Sequence, residues 1–159
     1  MEPKIVKKES MTVIGIPLET SVLDGKNFKE IPELWERVLK ENLHEQIPNK
    51  VNEEVLLGIC MDFDGSDKFT YMIASPVTTT DKIPEGMVVR EIAANTYAQF
   101  TARGEMPKSI QDTFKYIYGE WLPGSDYKRG CGLDIEWYDE RCTDCADSEV
   151  DILVAVVKK

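Results

Sequence analysis

The sequence predicts an α+β fold of duplicated strand-helix-strand-strand modules, with antiparallel sheets and a pseudo-twofold axis. Three observations carry this. Two stretches in corresponding order recur about 80 residues apart, a self-similarity that has to be weighed before any fold is assigned. Each half holds one helix with a single apolar stripe. Each helix is followed by two segments of strand-like alternation.

The elements follow in order. The first half opens on the alternating run Lys4 to Pro17. Its helix is marked by Ile31, Leu34, Trp35, Val38, Leu39 and Leu43, with Glu33, Glu36, Arg37, Lys40 and Glu41 outside the stripe and Pro32 expected in the first turn. Strands Val55 to Phe63 and Lys68 to Pro76 are joined by Asp64-Gly65-Ser66-Asp67, a hairpin connection. The second half opens on Met87 to Arg103, where Thr96 to Phe100 reads as strand. Its helix starts near Pro107, carries Ile110, Phe114, Ile117, Tyr118 and Trp121, and is expected to end before Pro123-Gly124. Leu133 to Tyr138 and Val150 to Val157 close the chain around an acidic loop, Asp139 to Glu149. Thr78 to Gly86 is the best boundary between repeats at 1–80 and 84–159. A half with one helix would leave its sheet uncovered, so residues 1–159 are expected to form one domain.

A chain of 159 residues with 42% hydrophobic content can bury one sizeable core. The net charge of -10 argues against a surface that tracks phosphates, so no direct nucleic-acid partner is expected. No helix-turn-helix segment is recognised before residue 30 or after the last strand. MEPKIVKKES lacks a signal-peptide apolar core and no run approaches a membrane span, which makes a cytoplasmic location without membrane contact the default expectation. Cys60, Cys131, Cys142 and Cys145 are accordingly expected as reduced thiols.

Candidate site residues follow from chemistry. Glu136 sits between Ile135 and Trp137, and a carboxylate there is costly to desolvate unless it meets a cation, a donor or a proton. Strand alternation of Leu133, Ile135 and Trp137 with Asp134, Glu136 and Tyr138 by itself favours an ordinary wet face. Tyr71 shares a face with Phe69 and Ile73 and reads equally as core or as pocket wall. Tyr118, Trp121, Tyr138 and Trp35 are further candidates, helical spacing weighting Trp35 and Tyr118 toward core. Cys142-Thr143-Asp144-Cys145 with Cys131 could supply three thiolates, but a second ligand pair is wanting and His44 lies far along the chain, so neither metal nor cofactor is expected. No Gly-rich phosphate loop and no G-x-S-x-G elbow is found.

One resemblance covers the whole chain. An aromatic helix running into Trp121-Leu122-Pro123-Gly124-Ser125-Asp126-Tyr127, a strand bearing Glu136 and Tyr138, and a closing Asp151-Ile152 strand together resemble the GyrI-like effector-binding domain. That domain also serves AraC-type and multidrug-binding transcription regulators as ligand module. The resemblance implies a ligand cavity between the repeats, with Glu136 as its pocket glutamate and Tyr71, Trp121 and Tyr138 as walls. It implies a stand-alone binder of bulky, lipophilic, cationic small molecules. Two alternatives come with it: a hydrolase of cyclopropane-bearing electrophiles in which Glu136 is catalytic, and an interaction protein like the gyrase-inhibitory members.

Overall fold

The computed structural model describes residues 2–143 and 146–159. Eight strands form one antiparallel sheet: β1 (Lys4–Lys8), β2 (Met11–Ser21), β3 (Leu56–Met61), β4 (Lys68–Pro76), β5 (Val88–Ile92), β6 (Asn95–Arg103), β7 (Tyr127–Tyr138) and β8 (Glu149–Lys158). Their order across the sheet is β1-β6-β8-β7-β3-β4-β2-β5. Read from either end, the order is an edge strand, a long strand, then a hairpin pair, so the two halves meet at β7 and β3. The alternating run expected from Lys4 to Pro17 is two strands, as is the one from Met87 to Arg103. Each short first strand leaves its own half: β1 pairs with β6, and β5 pairs with β2.

Helix α1 (Lys26–Lys40) covers the β2-β4 side and α2 (Lys108–Tyr116) the β6-β8 side. Pro32 lies inside α1 rather than in its first turn. It is tolerated there because Pro32 and Phe28, whose carbonyl loses its partner, both face solvent. Leu34 and Val38 carry the buried stripe, while Leu39 is half exposed rather than part of it. The second helix does not stop before Pro123. It passes through a π-helical turn, Ile117–Trp121, into a last turn α3 (Leu122–Gly124), where Pro123 supplies no backbone N–H and the helix ends one residue later.

Both helices pack on the same face of the sheet. Under α1 lie Ile14, Ile16, Phe69, Tyr71 and Ile73, and under α2 lie Ala98, Phe100, Ile152 and Val154. The opposite face buries Val13, Leu57, Ile59, Met72, Tyr97, Ile135 and Leu153 in one cluster with no helix among its members. Its members run without a break across the sheet from Val13 on β2, through β4, β3, β7 and β8, to Tyr97 on β6. Between the two helix-covered halves, on the helix side, run the centre strands β3 and β7. The two buried carboxyl groups, Asp134 and Glu136, lie here.

Among the described residues no helix is long and apolar enough to cross a membrane.

Candidate functional site

The period-2 geometry of β7 puts Asp134, Glu136 and Tyr138 on the helix-facing side of the sheet, and β3 sets Cys60, Gly58 and Leu56 directly opposite them. The wet face that alternation favoured is buried instead: Asp134 is 4% and Glu136 8% exposed. The first half covers Glu136, and Tyr118 of the second half reaches Asp134. Tyr71 arrives from β4, wholly buried, and Trp35 from α1.

Four of the six residues singled out from sequence come together at Glu136. The Tyr71 hydroxyl donates to Glu136 Oε1 at 2.8 Å, and the Tyr138 hydroxyl donates to the same oxygen at 2.7 Å. The Trp35 indole Nε1 donates to the Tyr71 oxygen at 2.8 Å, extending the chain of donors to α1. Trp35 also packs edge-on against Tyr138, ring centroids 4.8 Å apart. Where a cavity between the halves is expected, the Glu136 carboxyl is therefore almost wholly covered, with Tyr71 and Tyr138 on its oxygen and Trp35 in contact with both tyrosines. None of the ion pairs among the described residues involves Glu136, so its only partners here are neutral donors.

Burial is the largest influence on that carboxyl. It raises the Glu136 pKa to about 7, against the opposing donations from Tyr138 and Tyr71, and the nearby Asp134 adds to the rise. Burial next to Glu136 likewise pushes the Tyr71 and Tyr138 hydroxyls well above the usual tyrosine range, keeping both as donors. The Cys60 thiol is raised by burial first and then by the two carboxyl groups, so it is a neutral thiol in the floor of the site.

Tyr118 and Trp121 lie elsewhere. The Tyr118 hydroxyl donates to Asp134 Oδ1 at 2.6 Å, one step along β7 from Glu136. Trp121 packs against Phe100, centroids 5.2 Å apart, and stacks on Tyr127 at 6.1 Å, within the core beneath α2. Of the CxxC, Asp144 and Cys145 lie outside the described residues, while Cys142 is half buried against the α2 core and Cys131 is exposed on β7.

Three residues that sequence reasoning passed over complete the site. Asp134 lies beside Glu136, and the Arg129 guanidinium donates to its Oδ2 at 3.2 Å. Burial raises the Asp134 pKa, and Arg129 and Tyr118 pull it back. Gly58 is the third; a glycine inside an apolar strand is the signal of a close approach. A Cβ at Gly58 would stand 2.2 Å from the Tyr71 hydroxyl and 2.6 Å from Glu136 Oε1.

Comparison with known proteins agrees with this architecture. The transcriptional regulator BrlR of Pseudomonas aeruginosa is 32% identical over 158 residues, which is 98% of this chain and 56% of the regulator, so the chain spans little more than half of that relative. The structure of SAV2435 bound to tetraphenylphosphonium superposes with a TM-score of 0.86 at 21% identity, covering 99% of this chain and 94% of the other. The integron cassette protein VCH_CASS2 of Vibrio cholerae superposes with a TM-score of 0.72, also at 21% identity, over 99% and 97% of the two chains. At such identities the superpositions establish the fold, the GyrI-like effector-binding one. The sequence from residue 4 to residue 156 matches the Cass2 family, and the chain belongs to that family of integron-associated effector-binding proteins.

Proposed function

We propose that this effector-binding domain captures bulky lipophilic cations, with Glu136 as the counter-charge and Trp35, Tyr71 and Tyr138 as aromatic walls. The single observation that carries the reading is a buried carboxyl group that holds neutral donors and no cation of the protein's own. Unpaired burial of this kind is a standing cost to the fold, and a cation delivered by a ligand removes it. Each well-placed ring adds about 0.5 to 2 kcal/mol toward a cation over its face. The bound tetraphenylphosphonium of SAV2435, a protein of the same fold, supports the ligand class.

Entry requires Trp35 and Tyr138 to part. Their edge contact is worth about 0.5 to 1.5 kcal/mol, a cost a large aromatic ligand offsets with its own rings. Trp35 lies three residues beyond Pro32, where the α1 hydrogen-bond ladder is already interrupted, which makes this stretch of α1 the part that yields. Tyr118, bonded to Asp134, is reached only by ligands extending toward α2, and Trp121, packed against Phe100 and Tyr127, stands outside the wall.

Quenching of tryptophan fluorescence, compared with that of Trp35→Phe, tests the reading with tetraphenylphosphonium and the neutral triphenylphosphine oxide. Glu136→Gln should weaken the cation by about tenfold or more and the neutral compound by less than about threefold. Equal losses for both would remove the counter-charge role.

A hydrolytic reading rests on the same group. A carboxyl group with a pKa of about 7, in hydrogen-bond contact with two tyrosines, suits general acid or base work at neutral pH. It stands second, because Oε1 is already engaged by both hydroxyls.

A further inference from the structure

Asp134 and Glu136 are two buried carboxyl groups on one face of one strand, and they are treated differently. Glu136 has no cation, whereas Asp134 has one supplied by the chain itself. The Arg129 guanidinium lies 4.5 Å from the centre of the Phe63 ring and 5.1 Å from that of Tyr118, with Asp134 Oδ2 at 3.2 Å. Two ring faces and a carboxylate around a planar cation are the parts of an aromatic cage for cationic ligands.

The hold on Arg129 is partial. Its side chain is 36% exposed, and its Nε is buried without a hydrogen-bond partner, so charge and ring contact hold it in place of a full fork of bonds. It also stands on an irregular stretch of backbone: Arg129 pairs with Val156 and Asp134 with Val154, so β7 carries three more residues than β8 between those points. Gly132 takes a φ of 75° within that bulge. Beside the guanidinium opens a cleft of about 220 Å³ lined by Tyr118, Leu122, Pro123, Tyr127, Lys128 and Lys159, so the side chain borders open space on one flank.

We propose that Asp134, Tyr118 and Phe63 form a second cation site, filled in this conformation by the chain's own Arg129, and that rigid aromatic dications displace this guanidinium while placing their other charge at Glu136. The proposal rests on the counter-charge role of Glu136. Two residues of strand separate the carboxylates' backbones by about 7 Å, which sets the class of ligand as flat dications with charges at that spacing. Arg129 then acts as a tethered competitor that sets the preference between singly and doubly charged ligands.

Methyl viologen and 1-methyl-4-phenylpyridinium have nearly the same shape and differ by one charge. Calorimetry with both probes is carried out on the wild-type chain, on Arg129→Gln, on Asp134→Asn and on the Arg129→Gln/Asp134→Asn double variant. Arg129→Gln should tighten methyl viologen about tenfold and change the monocation less than about twofold, and the double variant should lose the gain. Equal changes for both probes, or a gain that survives in the double variant, overturns the second site. Monocation binding with no gain for the dication in Arg129→Gln overturns it too and leaves the Glu136 reading standing, whereas absence of binding by either probe to every chain removes both. Should thermal unfolding show that Arg129→Gln does not fold, Asp134→Asn decides alone: it should lower the dication-over-monocation ratio about tenfold, and an unchanged ratio overturns the proposal.

Discussion

Gly58 faces Glu136 across the β3-β7 ladder, and it is the missing side chain of Gly58 that makes room for the carboxyl group and for the Tyr71 hydroxyl bonded to it. The backbone of Gly58 lies in regular strand, so the requirement is for space rather than for an unusual conformation. One absent methyl group on β3 thereby allows β4 and β7 to meet over the centre of the sheet.

Gly58→Ala should therefore cost about 1 to 3 kcal/mol of stability, since its Cβ must push apart two buried, hydrogen-bonded groups. Urea unfolding measures the loss. Near-ultraviolet dichroism should change at the same time, because Tyr71 links to Trp35. A variant with wild-type stability and spectrum would show that the two groups separate freely and that Gly58 is not needed for their approach.

Glu136 should also make the fold less stable as pH rises. Its pKa is raised from 4.5 to about 7 in the folded state, so between those values the folded chain holds a proton the unfolded chain has released. Stability present below about pH 4.5 is lost as pH rises through about 7, by up to about 3 kcal/mol from this group. Glu136→Gln cannot ionise and should be the more stable protein at pH 8, with its advantage gone at pH 4.5. Denaturant titrations at the two pH values decide it; a variant advantage that does not depend on pH would count against the raised pKa.

Much of this fold was legible in the sequence, because amphipathic stripes and alternation report which residues share a face. Alternation left open whether the Glu136 face is wet, since a strand of this pattern is half-polar in either case. Two helices packing on the same face decided it. Asp134 and Arg129 illustrate a different barrier: at a separation of five residues an ideal strand would point them to opposite sides, and only the bulge in β7 brings them together. Trp121 was displaced from its expected place by the π-helical turn, which shifts the helix register without a mark in the apolar pattern. Gly58 did leave a signal, a lone glycine in an apolar strand, but the side chain that needed its space comes from residues 13 and 78 positions away.

Cation binding should release a proton. Below about pH 7 the ligand-free site holds Glu136 protonated, and a bound cation favours the carboxylate. Affinity for tetraphenylphosphonium should fall by up to about tenfold per pH unit below that value and level off above it. Calorimetry at pH 6 in two buffers of different ionisation enthalpy should give heats that differ in proportion to the protons released. Identical heats in the two buffers would mean that Glu136 keeps its charge state when the ligand arrives.

The binding and hydrolytic readings part on turnover. A side chain that transfers a proton in the rate-limiting step contributes about 10²- to 10⁴-fold, so a hydrolase built on Glu136 would convert many equivalents of a cyclopropane-bearing electrophile and lose that activity in Glu136→Gln while still binding an uncharged substrate. The hydrogen bonds favour the other result: Tyr71 and Tyr138 both donate to Oε1, an arrangement that stabilises a stationary carboxylate opposite a bound cation more than one that must exchange a proton with water. Mass spectrometry under multiple-turnover conditions should accordingly show no more than one equivalent of product per chain in either protein. Catalytic release from the wild type, abolished by Glu136→Gln, would replace the binding domain with the enzyme.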